Sequence, residues 1–532
     1  MKASYIDYRA TQSFSSGLIR YLEQDPSLKD FYGQSPNIDG FRKLLEEKKV
    51  AANRQVLVEV LQEQYSRLHS PITDKVKENI DLLQQENTFT ITTGHQLNIF
   101  TGPLYFIYKI ATAIKLSQQL KTQFPDKNFV PVYWMATEDH DFEEINHTYV
   151  GGKKIVWDKA CKGATGRLNT EYIAEALHQY QGILGASPNA LQLAGWVKAA
   201  YEQYTNLADA TRHLVNQIFE IYGLIILDAD HPQLKRQFAK IIEADILEQR
   251  SYQLITETSL QLKKSEIEIE VNPREINFFY LNDELRERIV FQDGFYRVLN
   301  TNLQFSSDEL RKHIQEHPEK FSPNVCMRPL YQESILPNLA YVGGGAEMLY
   351  WLELKSTFTH YKLDFPILIL RNSAQIISEE QEHKIKRLGL DYRDVFQSLD
   401  QLKKAWLLQN SNYTLNLDQE TGAFKEIFEQ LKDRAKAIDQ TLVPSTEAVE
   451  ARLYKAIDRL EKKLLKAEKR NHEEAMVQLE KLHTDFFPRH GLQERSENFG
   501  LYFSSFGSVF IEQLIASFQP LDFKFTLITL SK

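Results

Sequence analysis

The chain has few cysteines and no long apolar run. Only Cys161 and Cys326 occur among 532 residues, which excludes a disulfide framework and a CxxC zinc pattern. So little cysteine indicates a reducing, cytoplasmic setting. No segment approaches the roughly 20 uncharged apolar residues that cross a bilayer, and the first residues, MKASYIDYRATQSF, lack the apolar core of a secretory signal. We therefore predict a cytoplasmic protein without membrane contact.

Several catalytic signatures are also missing. The chain has no Walker loop, no GxGxxG fingerprint, no GxSxG nucleophile turn and no KMSKS-like lysine loop. Its net charge is −9, from 63 Lys and Arg against 72 Asp and Glu. An acidic balance of this kind argues against a protein that coats nucleic acid. What is present is the composition of an ordinary globular protein, with 42% hydrophobic and 25% charged residues.

Apolar strand-like runs that end in polar residues recur along the chain. They read FTIT, FVPVYWMA, YGLIILDAD, NLAYVGGG and FPILILRNS. Helical stretches separate them, and crossovers of that length join parallel strands. The sequence therefore predicts an α/β fold with a Rossmann-like, nucleotidyltransferase-like parallel sheet. Ligands of such sheets bind beyond the carboxyl ends of the strands, where the polar residues lie.

The composition and residue spacing of the remaining segments predict the domain organisation. We assign the Rossmann-like core to 1–160, 221–261 and 326–373, with a C-terminal return to the core at 485–532. Two connecting insertions occupy 161–220 and 262–325, and the second contains the short strand-like runs IEIEV, FFYL, ERIVF and FYRVL. Residues 374–484 are highly charged, poor in glycine and helical in pattern.

Within 374–484, apolar residues follow a heptad spacing. One series is Phe424, Phe428, Leu431, Ala435, Ile438 and Leu442, and a second is Leu453, Ile457, Leu460, Leu464 and Ala467. The segment VPSTE between them reads as a breaker, so the pattern predicts an antiparallel coiled-coil hairpin. Beyond Ala467 the register slips to Asn471, which reads as a stutter. Because a hairpin of two helices leaves part of its apolar surface exposed, we predict a homodimer that forms through this domain.

The loop TGHQLNIFTG follows the first strand of the core. Gly94 would let the chain turn sharply into a helix whose free N–H groups bind an anion. Further donors for a phosphate or carboxylate would come from the side chains that follow, which are His95, Gln96, Asn98 and Thr101. The alternative interpretation is a plain Gly/Asn turn with a surface histidine.

An acidic block follows the second strand, just after Trp134, which we include among the binding residues. Glu138, Asp139, His140 and Asp141 could bind an amine, act as a general base or, through Asp139 and Asp141, hold Mg²⁺. The alternative is an acid-rich helix start, which the helix dipole favours. No third His or Cys stands at zinc-ligand spacing.

The third candidate site is a run of glycines between a strand and a helix. Gly343, Gly344 and Gly345 would admit close approach of a ligand, and Gly344 is expected to need a positive φ. Glu347 follows this run. The preceding segment RPLYQ contains Arg328, whose guanidinium can bind a carboxylate or phosphate through two hydrogen bonds. It also contains Gln332, which we include as a further binding residue. The alternative is that the glycines serve tight packing of helix on strand.

Taken in order, five segments resemble the motifs of the BshC family, the cysteine-adding enzymes of bacillithiol biosynthesis. They are TGHQLNIFTGPLYFIYK, PVYWMATEDHDFEEINH, YGLIILDADHPQLKR, RPLYQESILPNLAYVGGGAEMLYW and LQERSENF. The resemblance covers essentially the whole chain and implies a Rossmann-like core with two insertions and a dimerising coiled coil. The chain differs from the family pattern at two places. One is His95, where family members often carry Gln, and the other is the glycine turn, which in the family usually reads Gly-Gly-Pro-Gly-Glu.

The resemblance also implies a reaction, the addition of L-cysteine to glucosaminyl-malate to give bacillithiol. Forming that amide requires an activated carboxyl, as an adenylate or acyl phosphate from ATP and Mg²⁺. The first loop and the glycine turn would then hold phosphate and carboxylate, and the acidic block would hold the metal or deprotonate the amine. Two other functions stay open, a nucleotide-binding scaffold or regulatory protein working through its coiled coil, and a nucleotidyltransferase-like enzyme with another acceptor.

Overall fold

The computed structural model describes residues 2–269 and 271–530. Its contacts divide the chain into two compact units. The larger comprises the N-terminus to Arg9, Ser13–Ile376 and Gly491–Ile528. The smaller comprises Ala10–Gln12, Ile377–His490 and the residues from Thr529 onward. The domain limits assigned from the sequence stay predictions.

A five-stranded parallel sheet forms the centre of the larger unit. Its strands are β1 (Thr88–His95), β2 (Asn128–Met135), β3 (Ile225–Asp228), β4 (Asn338–Gly343) and β5 (Ile367–Leu370). Their order across the sheet is β5-β4-β1-β2-β3, and every neighbouring pair is parallel. The predicted Rossmann-like core is confirmed. Because the chain builds outward from β1 in both directions, the topological switch point lies between β1 and β4.

Helices cover this sheet because its strands are apolar on both faces. Ile91, Val132, Ile226, Val342 and Ile369 are all buried, as expected for strands packed on two sides. The helices of the larger unit are Ser16–Leu22, Ile38–Glu47, Arg54–Ser66, Asp74–Leu82, Leu104–Gln123, Phe142–Ile145, Ala174–Leu184, Pro188–Gln203, Leu207–Phe219, Pro232–Glu248, Arg250–Lys264, Ser307–Glu316, Arg328–Ile335, Gly345–Leu352, Lys355–His360, Gly500–Phe506 and Ser508–Ser517.

The first predicted insertion contains three of these helices, from Ala174 to Phe219. The second contains an antiparallel five-stranded sheet, in the order Gln304–Phe305, Phe295–Val298, Leu285–Gln292, Phe278–Asn282, Phe321–Pro323. Two smaller sheets are the hairpin His147–Val150 with Lys153–Val156, and the set Lys2–Asp7, Lys524–Leu530 and Ala374–Ser378 in that order.

One predicted strand, IEIEV at 267–271, does not form in its described residues, and Glu270 lies outside them. The reason is the end of the preceding helix, Arg250–Lys264. The Ile267 N–H donates to the Leu262 carbonyl at 3.0 Å. That bond closes the helix end and turns the chain away from extended pairing.

The smaller unit is helical. Its helices are Glu379–Arg387, Tyr392–Val395, Leu399–Asn410, Asp418–Ile438, Val443–Asn471 and Glu473–Phe486. The two heptad helices form the predicted hairpin, but the turn lies at Asp439–Leu442 and not at VPSTE. Pro444 belongs to the first helical turn, where its missing N–H is not needed. The predicted stutter is a helix break at His472, with φ −114° and ψ 34°.

None of the helices in the described part of the chain combines the length and the apolar character needed to traverse a bilayer.

Candidate active site

A cavity of about 970 Å³ opens at the carboxyl end of the central sheet, at the switch point between β1 and β4. Several elements of the larger unit contribute to its lining: the ends of β1, β2 and β4, the second insertion, and helix Leu104–Gln123. It brings together predicted residues of all three candidate loops, which are Gly94, His95, Gln96, Trp134, Glu138, Asp139, Arg328, Gly344, Gly345 and Glu347. Asn98, Thr101, His140, Asp141, Gln332 and Gly343 do not line it.

The first loop does not run directly into a helix, which corrects the expected anion site. The next long helix begins at Leu104, whose N–H donates to the Glu497 carbonyl at 2.8 Å. Phe100 and Thr101 have positive φ values of 52° and 71°, so the chain stays irregular for several residues. Asn98 is buried and donates to the Glu144 carbonyl at 3.1 Å. The loop contributes only Gly94, His95 and Gln96 to the cavity wall.

His95 is a partly buried histidine and not the surface residue of the alternative interpretation. Its ring packs against Tyr105 and Phe106, with centroids 5.3 and 5.2 Å away. Burial, reinforced by the positive charge of Lys109, lowers the pKa of His95 to about 3. Its Nε2 is buried without a hydrogen-bond partner in the described structure. At neutral pH the site therefore presents an uncharged imidazole.

Glu347 is fixed by three donors. Lys109 Nζ lies 2.5 Å from its Oε2, the Tyr341 hydroxyl donates to Oε1 at 2.6 Å, and the Gly344 N–H donates to Oε2 at 2.8 Å. Burial alone would raise the pKa of Glu347, but Lys109 and these hydrogen bonds lower it to about 2. Lys109 also donates to the Gly94 carbonyl at 2.8 Å. The pair thus ties the end of β1 to the glycine turn.

The glycine turn serves both tight packing of helix on strand and close approach of a ligand, the two interpretations of its sequence. Gly344 has φ −77°, so the expected positive φ is wrong. A Cβ on Gly343 would lie 3.1 Å from the Tyr341 ring, and one on Gly345 2.9 Å from Leu18. A Cβ on Gly344 would meet only ordinary contacts, the nearest at 3.4 Å. The outer two glycines therefore serve packing, while the middle one leaves room at the cavity.

The acidic block is held by its surroundings. Glu138 forms an ion pair with the fully buried Lys235. Asp139 accepts hydrogen bonds from the His140 N–H at 2.7 Å and from Gln96 Nε2 at 2.7 Å. These bonds outweigh burial and lower the pKa of Asp139. Asp141 instead caps the short helix that follows, accepting from the Glu144 N–H at 3.2 Å.

The expected Mg²⁺ site at Asp139 and Asp141 does not fit this arrangement. One carboxylate lines the cavity with its oxygens already hydrogen-bonded, while the other caps a helix outside the lining. Within residues 2–269 and 271–530 no group of three or more His, Cys, Asp and Glu side chains could hold a metal ion. His140 lies outside the lining as well, with its Nδ1 2.8 Å from Arg286 Nη1.

The cavity is strongly basic, although the chain is acidic. Seven basic side chains line it against three acidic ones, Glu138, Asp139 and Glu347. Lys109 and Arg371 form ion pairs with Glu347 and Glu494. The other five are arginines that form no salt bridge with a described residue, although the charges of Asp139 and Glu138 act on Arg286. They are Arg274, Arg286, Arg288, Arg328 and Arg495. Unpaired arginines in a cavity are suited to bind carboxylates or phosphates.

Arg328 was found from the sequence, and the structure explains how it is held. Its guanidinium carbon lies 5.2 Å from the Tyr341 ring centroid and 5.8 Å from that of Trp134. Its Nη1 donates to Gln332 Oε1 at 3.1 Å. Gln332 is fully buried and so positions the arginine without reaching the cavity.

Sequence reasoning identified none of the other basic residues of the cavity lining. Lys109 lies on an otherwise apolar helix face, and Arg371 directly follows β5, so both could have been identified from the sequence as candidate site residues. Arg286 and Arg288 alternate along strand Leu285–Gln292 of the second insertion, where nothing in the sequence marks them. Lys235 lies on the helix after β3 and reaches Glu138 only through the fold. Glu494, in the segment LQERSENF, accepts from Arg371 Nη2 at 2.7 Å.

Comparison with known proteins extends over both units. Residues 1–372 match the family model described as "Bacillithiol biosynthesis BshC, N-terminal Rossmann-like domain". Residues 374–530 match the model of the "C-terminal coiled-coil domain" of the same family. The chain is 44% identical to a protein of Flavobacterium johnsoniae and 40% identical to one of Christiangramia forsetii, each over 100% of both chains.

A Flavobacterium psychrophilum relative is 43% identical over 99% of both chains. All three relatives carry the name "Putative cysteine ligase BshC", which agrees with the predicted ligase class of enzyme. Because the two family models together span nearly the whole chain, and the relatives match it from end to end, the protein belongs to the BshC family of bacillithiol biosynthesis.

Proposed function

We propose that this protein is the ligase that joins the carboxyl group of L-cysteine to the amine of glucosaminyl-malate, forming bacillithiol. The single observation that carries the proposal is the basic cavity, in which five arginines form no salt bridge with a described residue. The malate part of the acceptor has two carboxylates, and arginine forks match carboxylates in geometry and charge. The full-length similarity to proteins named as cysteine ligases supports the same reaction.

The basic lining of the cavity supports a nucleotide as a ligand. Arg328, Arg371 and the space beside Gly344 would hold its phosphates. When bound, the nucleotide supplies the activation that a free carboxylate lacks. Of the predicted Mg²⁺ ligands, Asp139 lines the cavity and Asp141 does not, so the proposed reaction gives Mg²⁺ no ligand from this pair. ATP and Mg²⁺ stay predictions, as do the cytoplasmic setting and the homodimer.

We assign two roles to the side chains of the cavity. The arginines would orient the carboxylates and stabilise negative charge that develops on the reacting carboxyl oxygens. His95 is uncharged at neutral pH, but with a pKa lowered to about 3 and a buried Nε2 it is a poor acceptor for the proton lost by the attacking amine, so it would help to shape the site. Glu138 and Glu347 are held in ion pairs and would maintain the shape of the site.

The test is product formation by the purified chain. We would incubate it with cysteine, glucosaminyl-malate, ATP and Mg²⁺, omit each component in turn, and detect bacillithiol by mass spectrometry. Arg288→Met and Arg328→Met should lower the rate at least tenfold, whereas Arg311→Met, an arginine paired with Glu243 on helix Ser307–Glu316, should not. Failure to form product under every nucleotide condition, together with normal bacillithiol in cells lacking the gene, would overturn the proposal.

A further inference from the structure

The side-chain amide of Gln96 has a fixed orientation in the cavity wall. Its Nε2 donates to Asp139 Oδ2 at 2.7 Å and to Glu144 Oε2 at 2.6 Å. An ionised carboxylate accepts hydrogen bonds and donates none, and an amide nitrogen carries two hydrogens. The two carboxylates therefore use both donors of Gln96 and define which end of the amide is oxygen.

What Gln96 offers to a ligand is thus an acceptor. Its Oε1 makes no hydrogen bond to any described residue, and it is not sealed away from solvent. The residue itself lines the cavity. This reverses the expectation from the sequence, in which Gln96 was a donor for phosphate or carboxylate. An anionic group cannot use Oε1, so the ligand group beside it must carry N–H or O–H.

The wall around Gln96 contains acceptors as well as basic side chains. Asp139 lies against the Gln96 amide itself, and the neighbouring His95 has a buried Nε2 without a partner in the described structure. The cavity lining also contains Arg274, Arg288 and Arg328, and Arg286 lies close enough to Asp139 for its charge to help lower the pKa of that carboxyl. A ligand with both an amine and carboxylates would match these acceptors and donors.

We propose that Gln96 is a specificity-determining residue that binds a primary amine of the substrate through its Oε1. The inference rests on the proposed function, because both substrates of that reaction carry a primary amine. One is the sugar amine of glucosaminyl-malate, and the other is the α-amine of cysteine. Gln96 positions the amine and takes no proton from it, since a carboxamide is not a base at neutral pH.

The experiment compares ligand pairs that differ in the amine alone. Calorimetry would measure binding of glucosaminyl-malate against 2-deoxyglucosyl-malate, and of cysteine against 3-mercaptopropionate, to the wild type, Gln96→Met and Gln96→Glu. The matched control is Gln179→Met, because Gln179 Nε2 likewise donates to a carboxylate, Glu175 Oε1 at 2.8 Å, but on an exposed helix. Circular dichroism and thermal melting would verify that each variant folds.

The wild type should bind one amine ligand about tenfold more tightly than its des-amino partner, the effect of one well-made hydrogen bond. Gln96→Met should abolish that preference, and Gln96→Glu, which keeps an acceptor, should retain or increase it. Because Gln96→Met would also free Asp139 and Glu144 to attract the amine, the same comparison is made with Asp139→Asn and Glu144→Gln added, which removes their charge.

Two results would overturn the inference. The first is a wild type without preference in either pair, and the second is a preference that persists when Gln96→Met is combined with Asp139→Asn and Glu144→Gln. If Gln96→Met does not fold, a loss of preference in Gln96→Glu would count against the inference equally. The proposed function fails separately, by absence of product in the wild type, so a protein that forms bacillithiol with an amine preference independent of Gln96 would refute this inference alone.

Discussion

The two units of this chain differ in the burial of their ion pairs. The larger unit contains buried pairs between residues far apart in sequence, such as Arg371 with Glu494, whose side chains are 7% and 0% exposed. In the smaller unit the ion pairs are more exposed, and some of them, such as Lys386 with Glu382 and Lys462 with Asp458, join residues four apart on one helix. Buried pairs depend on the whole fold, whereas solvated pairs of the second kind contribute little.

The same contrast holds for apolar residues. Every strand of the central sheet buries its apolar side chains, and Ile91, Val342 and Ile369 are all 0% exposed. In the smaller unit, Ile438 is 79% exposed and Leu460 is 51% exposed, although both lie on the heptad series. The larger unit therefore completes its own core, while the helical hairpin leaves apolar surface that a second chain could cover.

The largest expected effect concerns the buried ion pair. Glu494→Ala should lower the free energy of unfolding by about 3–5 kcal/mol, because it leaves Arg371 charged, buried and without its carboxylate. Glu494 also accepts from the Ala374 N–H at 3.0 Å. Denaturant unfolding would measure the loss. The matched change in the smaller unit, Glu380→Ala in an exposed pair with Lys384, should have no measurable effect, and equal losses would refute the contrast.

The second prediction tests the exposed heptad surface. Leu453→Glu combined with Leu460→Glu should convert the predicted homodimer into a monomer, because charges in the centre of an apolar interface cost about 2 kcal/mol or more. Light scattering would give the mass, and circular dichroism the helix content. Val477→Glu, at a more exposed position outside the heptad series, is the control. A wild type that is monomeric, or a double variant that stays dimeric, would place the contact elsewhere or exclude it.

A smaller effect separates the glycines of the turn. Gly343→Ala should cost about 1–3 kcal/mol of stability, because its Cβ would crowd the Tyr341 ring and Glu347. Gly344→Ala should leave stability nearly unchanged, since its φ suits alanine and its nearest contact is 3.4 Å away, yet it should weaken ligand binding. Thermal melting and calorimetry of the two variants would test this. Similar losses of stability at both positions would favour packing as the whole role of the turn.

The smallest effect is on the pH dependence of stability. The pKa of His95 is lowered to about 3 in the folded protein, so between this value and the unfolded pKa of about 6.5 only the unfolded state binds the proton. Stability from this group is complete above about pH 6.5 and falls as pH decreases through that window. The wild type should lose about 1 kcal/mol more than His95→Gln between pH 7 and pH 5.5.

Denaturant unfolding at the two pH values would measure that difference. His383→Gln, an exposed histidine of the smaller unit, is the control and should behave like the wild type. An identical pH dependence in His95→Gln and the wild type would mean that His95 takes up a proton in the folded protein as well, and the neutral imidazole of the site would have to be abandoned.

The sequence by itself determined the elements and the edge at which the chemistry lies. Apolar runs of strand length separated by helices fix a parallel sheet, and polar residues after β1, β2 and β4 therefore meet at one edge. The heptad spacing fixed the hairpin in the same way. Both predictions rest on periodicity, which a chain carries locally. The turn at Asp439–Leu442 was misplaced because a proline near a helix start and a proline that ends a helix look alike in sequence.

Only the tertiary structure decided which charges are used and which remain available. Lys235 and Glu494 lie 97 and 123 residues from the partners that they neutralise, Glu138 and Arg371, so no local pattern relates them. The role of Gln96 as an acceptor likewise depends on two carboxylates that occupy its amide nitrogen. A side chain's chemistry toward a ligand is what its protein contacts leave unused, and those contacts form only when the chain is folded.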